Sequence, residues 1–375
     1  MSRIRVAIST HLFPSESTLL SGPWLAEQAD ALATHCDMSV LAALRDCARR
    51  DVVRPSGVRV SYRPTRLLPG SGRAALLTAA ARYRLIARRH FADPGNRPDI
   101  LHAHFGFPDA VVIASVARKL RLPWVASLHG DDAFFLLHRK DALGRIMRRS
   151  LSEAGAVVCV SEAMADSVRE ALPGHRRIVT IENGYDDELF TLNDSPRSGG
   201  ILFVGTLTPV KNVDVLLRAC ALLADDAPPL VIAGEGPLRL ELEQLAGSLG
   251  VGERVCFTGE LGRAQTAERM RSARVLVIPS ASEGFGMVAA EALACGTPVI
   301  ASAVGGLPGI VTSPEAGILV EPGSVNELSA ALADALARTW DPCRAAASSG
   351  ARSWRVRAAE IAALYEQTAR LIERG

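Results

Sequence analysis

Short, mostly continuous apolar runs recur along the chain, separated by longer stretches whose apolar positions repeat at helical spacing. In the first half, residues 4–9, 38–41, 58–62, 98–105, 124–128, 157–161 and 178–181 read as strands. Their lack of polar alternation is the pattern of strands buried on both faces of a parallel sheet. Residues 24–33, 73–90 and 162–172 read as the helices between them, with Ser161 as the N-cap of the last. The pattern breaks at residues 191–200, TLNDSPRSGG, a linker by composition. It then restarts with strands at 201–204, 229–233, 255–258, 275–278, 298–301 and 317–322, and helices from Val213, at 287–294 and at 326–337. Strand and helix alternating in this way predict an α/β fold. With 375 residues, two domains are expected, 1–190 and 196–354, followed by a strongly helical segment at 354–372.

Composition narrows the class. With 48% hydrophobic and 22% charged residues and a formal net charge of +2, nothing points to nucleic acid as a partner. Residues 1–190 carry 26 basic against 20 acidic side chains, the remainder 16 against 20. The seven cysteines form no C-x-x-C pair, which favours reduced thiols in the cytoplasm over a disulfide framework or a zinc knuckle. The opening MSRIRVAIST is a charged strand rather than a signal peptide, and no apolar run reaches the length of a membrane span. Arginines 82, 84, 88 and 89, with Arg118, Lys119, Arg121, Arg139, Lys140, Arg145, Arg148 and Arg149, have two readings: a solvated face, or peripheral contact with anionic lipid at the inner membrane face. The sequence is silent on oligomeric state.

Chemistry concentrates in residues 282–297, SEGFGMVAAEALACGT. A buried strand, a glycine-rich turn and a helix place Glu283 in the turn and Glu291 within the helix. Gly284 and Gly286 leave the backbone open to a phosphate at the helix start. Lys211 follows a strand and the turn Gly205-Thr206, so it is placed to neutralise a phosphate or else is a plain surface lysine. His129 stands at the carboxyl end of a strand, the ligand edge of a parallel sheet. His102 and His104 point the same way on theirs, but further ligands at sensible spacing are missing nearby, so no metal is expected. No strand is followed by G-x-G-x-x-G, which weighs against a dinucleotide-dependent dehydrogenase.

The segment EGFGMVAAEALACGTPVIAS resembles the E-x7-E signature of the retaining nucleotide-sugar glycosyltransferases of family 4, whose fold is GT-B: two Rossmann-like domains facing each other across a cleft. GTLTPVK resembles the family's G-x-L-x3-K segment, HGDD its HG-x-D and NGYD its NG-x-D. The resemblance implies catalytic roles for Glu283, Lys211 and His129. It implies donor binding by Glu291, Phe285, Gly286, Met287, Gly205, Thr206, Glu260, Leu261, Gly22 and Asp132. It also implies that helix 355–375 returns to the first domain. Three positions depart from the pattern: Gly22 alone stands where relatives have paired glycines, Thr206 where many have arginine, and Gly309 where glutamate is common. The implied activity is transfer of a hexose-type sugar from a nucleoside diphosphate, UDP first and GDP-mannose second, to a hydroxyl acceptor with retention, without metal or other cofactor. The acceptor is a lipid-linked or surface-polysaccharide precursor, or a small metabolite. An epimerase, a phosphorylase or a silent nucleotide-sugar-binding protein on the same scaffold are the alternatives.

Overall fold

A computed structural model describes residues 3–15, 22–45, 47–65, 73–193 and 197–373. The chain divides into two compact units, Met1–Glu182 with Trp354–Gly375, and Asn183–Ser353. The division lies ahead of the 191–200 linker, and local contacts explain why. Gly184–Tyr185 pairs in parallel with Arg352–Ser353, the Leu189 carbonyl accepts from Arg271, and Phe190 is buried beneath the Arg263 guanidinium. Residues 183–190 therefore pack with the second unit. Residues 194–196 of the linker lie outside the described residues.

The first unit holds an eight-stranded sheet in the order Arg50–Val53, Arg59–Tyr62, Asp37–Ala42, Arg5–Thr10, Ile100–His104, Trp124–Leu128, Ala156–Cys159, Ile178–Thr180. All pairings are parallel except that of Arg50–Val53, an exposed edge strand whose short RDVV run carries no buried face. Successive strands add on one side of Arg5–Thr10 and then, from Ile100–His104 onward, on the other. The order thus reverses between these two strands, and the carboxyl ends beside such a reversal form a crevice where ligands bind in open α/β sheets. The last helix, Trp354–Glu373, packs on Pro23–Leu32 and adds Trp354, Ile361, Leu364 and Tyr365 to the core of this unit.

The second unit has a six-stranded parallel sheet in the order Val255–Gly259, Leu230–Ala233, Ile201–Val204, Val275–Ile278, Val299–Ser302, Gly317–Val320. Its reversal lies between Ile201–Val204 and Val275–Ile278. The segments carrying Lys211 and Glu283 leave the carboxyl ends of these two strands. A separate apolar core of Phe203, Leu216, Leu217, Ile232, Val277 and Leu332, among others, supports this edge.

Candidate active site

In the second unit, the helix begins at Val213 as expected, and Lys211 stands just ahead of it. Lys211 ends a single 3-10 turn, Pro209–Lys211, and Asn212 in left-handed conformation then starts the helix Val213–Ala221. The Ala281 amide donates to the Val210 carbonyl at 2.8 Å, tying this turn to the loop after Val275–Ile278. That tie brings Lys211 Nζ to 2.6 Å from Glu283 Oε2, with Ser280 Oγ donating to the same oxygen at 3.4 Å. Glu283 is held from behind as well. Gly305, at φ +55°, approaches so closely that a Cβ there would lie 1.6 Å from the Glu283 carbonyl oxygen. Phe285 is buried, and Gly286, left-handed at φ +104°, is the N-cap of Met287–Ala294 with no side-chain cap on the helix amides.

Glu291 is buried on that helix, and its Oε1 meets Arg263 Nη1 at 2.5 Å. Arg263 begins the helix Arg263–Ser272 just after Gly259, Glu260 and Leu261, and its guanidinium lies 4.6 Å from the centre of the Phe190 ring. Glu260 is exposed and Leu261 half-buried in that turn, with Gly259 at φ +75°. Thr206 is exposed and Gly205 half-buried at the end of Ile201–Val204. Lys211 and Glu283 are thus in direct contact, and Glu291 is paired with an arginine that sequence reasoning passed over. Its available signal was its place: a cation at a helix start after a strand and a glycine turn.

In the first unit, His102, His104 and His129 form one cluster. His102 bonds Tyr365 Oη at 2.6 Å and Ser127 Oγ at 2.8 Å, and His104 Nδ1 bonds His129 Nε2 at 3.0 Å with the two rings stacked. Burial pushes His102 and His129 down to about 3, and His104 well below the ordinary imidazole value. All three are therefore neutral at pH 7, and one N–H lies between His104 and His129. Trp24 packs on His129 with centroids 4.4 Å apart. Gly22, at φ +68°, caps the helix that carries Trp24. Among the described residues no three His, Cys, Asp or Glu side chains are grouped to hold a metal.

Asp132 sits beside His129, and its carboxylate is engaged by backbone amides. Its Oδ1 accepts from the amides of His129, Gly130 and Ala133, and its Oδ2 from Gly106, so a buried carboxylate pins two strand-end loops together. Burial raises its pKa, and the four amides oppose that rise. A second buried carboxylate, Asp109, and its partner His11 at the end of Arg5–Thr10 were not foreseen. His11 lies between the strand at 4–9 and the helix at 24–33, where no periodicity marks it.

Two doubly wound sheets, parallel apart from the edge strand Arg50–Val53, each with polar groups at the carboxyl ends of its strands, define a two-domain α/β protein of the GT-B kind. The family profile described as Glycosyl transferases group 1 matches residues 190–354, and that of Glycosyltransferase Family 4 matches residues 24–189. The chain belongs to glycosyltransferase family 4. It is 32% identical over 314 residues to a D-inositol 3-phosphate glycosyltransferase of Geodermatophilus obscurus, covering 74% of this chain and 68% of that one. It is 35% identical over 234 residues to an uncharacterised glycosyltransferase of Methanocaldococcus jannaschii, covering 61% of this chain. The match spans 63% of that archaeal relative and 55% of a D-inositol 3-phosphate glycosyltransferase of Mycolicibacterium gilvum. Among solved structures, a sucrose-phosphate synthase of Thermosynechococcus elongatus superposes with TM-score 0.78 at 25% identity over 97% of this chain and 99% of that one. Anabaena HepE in complex with UDP and glucose superposes with TM-score 0.76 at 21% identity over 97% and 99%, a likeness of fold.

Proposed function

We propose that this glycosyltransferase moves a hexose-type sugar from a nucleoside diphosphate, UDP in the first instance, to a hydroxyl acceptor, with retention and without a metal. The observation that carries the proposal is the Lys211–Glu283 pair at the strand-order reversal of the second sheet. Breaking a sugar–diphosphate bond leaves negative charge on the departing phosphate and oxocarbenium character on the sugar, so the catalytic task is to stabilise opposite charges at adjacent atoms. A lysine in contact with a carboxylate presents those two charges side by side. In this reading Lys211 and the amides at the start of Met287–Ala294 take the diphosphate. Glu283 orients the sugar through its hydroxyls, and Glu291, set by Arg263, takes the ribose. Arg263 also supplies a second cation in a chain that has Thr206 where many relatives have arginine. His129 is neutral with Nε2 taken by His104, and its buried Nδ1, which has no partner in the structure, is the atom left to hydrogen-bond the sugar rather than exchange a proton with it. The departing phosphate oxygen then takes the acceptor proton as the new glycosidic bond forms on the same face.

The acceptor is proposed as a small metabolite or a lipid-linked precursor. Relatives named for an inositol phosphate and for L-malate favour the first. A hollow lined by Arg84, Arg88, Arg118 and Lys119 beside Leu85 favours contact with an anionic membrane for the second. No helix among the described residues is long and apolar enough to cross a membrane. The test is a thermal-shift screen of nucleotide sugars, in which a ligand at 100 times its Kd adds about 2.7 kcal/mol of stability. Vesicles of phosphatidylglycerol test the membrane contact: binding that weakens with salt supports it, and indifference to lipid charge rejects it.

A further inference from the structure

His11 stands at the carboxyl end of Arg5–Thr10, and Phe105 at that of Ile100–His104, the two strands between which the first sheet reverses its order. The His11 imidazole is 40% exposed, whereas the Asp109 carboxylate bonded to its Nδ1 is fully buried. Asp109 is fixed in turn: Tyr83 Oη donates to its Oδ1 at 2.9 Å, and Ser9 Oγ lies 2.7 Å from that same hydroxyl. The chain Ser9, Tyr83, Asp109, His11 runs from the interior to the edge and leaves Nε2 as the end of the ring turned away from Asp109. Phe105 lies edge-on to His11 with centroids 5.1 Å apart, and it also touches His129 and Trp24 at 4.8 and 6.2 Å. Phe105 holds φ +76° and ψ 148°, a region almost reserved for glycine. Such strain in a bulky residue persists where the surroundings impose it, and it concentrates at ligand sites.

A buried carboxylate behind a half-exposed imidazole is costly unless the imidazole carries a proton. Burial pulls His11 down, but the charge and hydrogen bond of Asp109 outweigh it, with Asp132 adding in the same direction, so its pKa rises above the ordinary value. Burial lifts Asp109 as well, so the two compete for one proton. The Tyr83 hydroxyl donating to Asp109 favours the carboxylate and leaves that proton on the more basic imidazole. The other histidine at this edge, His129, is neutral. His11 is therefore the cation facing the aromatic surface of Phe105 and Trp24, an apolar floor with one charged corner.

We propose that His11, held by Asp109, binds an anionic oxyacid group, phosphate or carboxylate, on the acceptor, whose ring lies over Phe105 and Trp24. This rests on the reading that the second unit takes the donor, which leaves the first sheet's crevice to the acceptor. Nε2–H donates to the oxyanion, and the Asp109–Tyr83–Ser9 chain keeps the ring fixed and charged.

Imidazole NMR on the full chain tests this, with inorganic phosphate in one series and acetate in a second. The resonance that disappears in His11→Gln is expected to titrate above pH 6.5 and to move saturably with at least one of the two anions. The responding anion tells phosphate from carboxylate. Asp109→Asn should lower that titration and remove the anion response. Tyr83→Phe, which keeps the ring packed in the core, should weaken the response if Asp109→Asn fails to fold. A His11 resonance indifferent to both anions overturns the proposal, as does one that moves instead with uncharged glucose. If nucleotide sugars still stabilise the protein in that event, the acceptor inference falls alone. If no nucleotide sugar binds while phosphate moves His11, the donor reading falls and the anion site stands.

Discussion

At the scale of single residues, opposite charges in contact decide the behaviour of the second unit. Lys211 and Glu283 are only partly exposed, so removing one leaves the other as a poorly screened charge facing the ligand. Lys211→Ala exposes a bound diphosphate to the Glu283 carboxylate, and transfer should fall 10²- to 10³-fold, matching about 2.7–4 kcal/mol for the loss of a well-placed charge partner. Glu283→Ala should lower turnover comparably while weakening nucleotide binding less, because Lys211 is then free for phosphate. Steady-state kinetics of both variants and of the double variant separate the two, and additive effects would deny that the pair acts as a unit. The histidines make a second residue-scale prediction. His102, His104 and His129 are held below the unfolded value of about 6.5, so the unfolded chain gains protons first as pH falls. Their contribution is whole above that value and is lost progressively as pH drops toward 3. His11, raised, runs the other way and favours the fold in mild acid. Urea unfolding between pH 6.5 and 5 should show stability falling, and His102→Gln should flatten the slope. A flat profile in the parent would contradict the neutral cluster.

At the scale of elements, the glycine-rich turns set where side chains meet. Gly305→Ala places a Cβ against the Glu283 carbonyl in a left-handed conformation, so the 282–286 turn must move. The variant should lose transfer and stability together, read by kinetics beside thermal melts, since Gly284, Phe285 and Gly286 of that turn are buried. A variant with unchanged transfer would deny that this contact sets Glu283. Much of this level was legible beforehand. The apolar runs located strands such as Trp124–Leu128 and Val275–Ile278, because a strand buried on both faces leaves an unbroken apolar record. Ser161 was readable as an N-cap, and its hydroxyl does accept from the Met164 amide. The edge strand Arg50–Val53 was not, because charged residues on an exposed edge carry no such record. Arg263 and His11 were missed for a related reason. Their roles come from residues distant in sequence, Glu291 and Asp109, brought near by sheet order, which local spacing does not encode. Asp132 was read by its motif as a ligand contact, and only the four amides around it show what the carboxylate does locally.

At the scale of the whole molecule, the chain builds two cores, one closed by its own last helix. Tyr365 on that helix is fully buried and bonds His102, so the far end of the sequence completes the histidine cluster. Tyr365→Phe leaves His102 Nδ1 without that bond and should cost about 1–3 kcal/mol, read by denaturant unfolding of the first unit. Nucleotide sugar should protect the second unit from unfolding more than the first, as hydrogen exchange resolves. The central claim is that the carboxyl edge of the second sheet holds an activated sugar through Lys211. Calorimetric titration with UDP-glucose and its relatives tests it most directly. The parent is predicted to bind at least one nucleotide sugar saturably, and Lys211→Ala to bind it at least tenfold more weakly, about 1.4 kcal/mol. A parent that takes up no nucleotide sugar, or a Lys211→Ala chain that binds it as tightly, would contradict the claim.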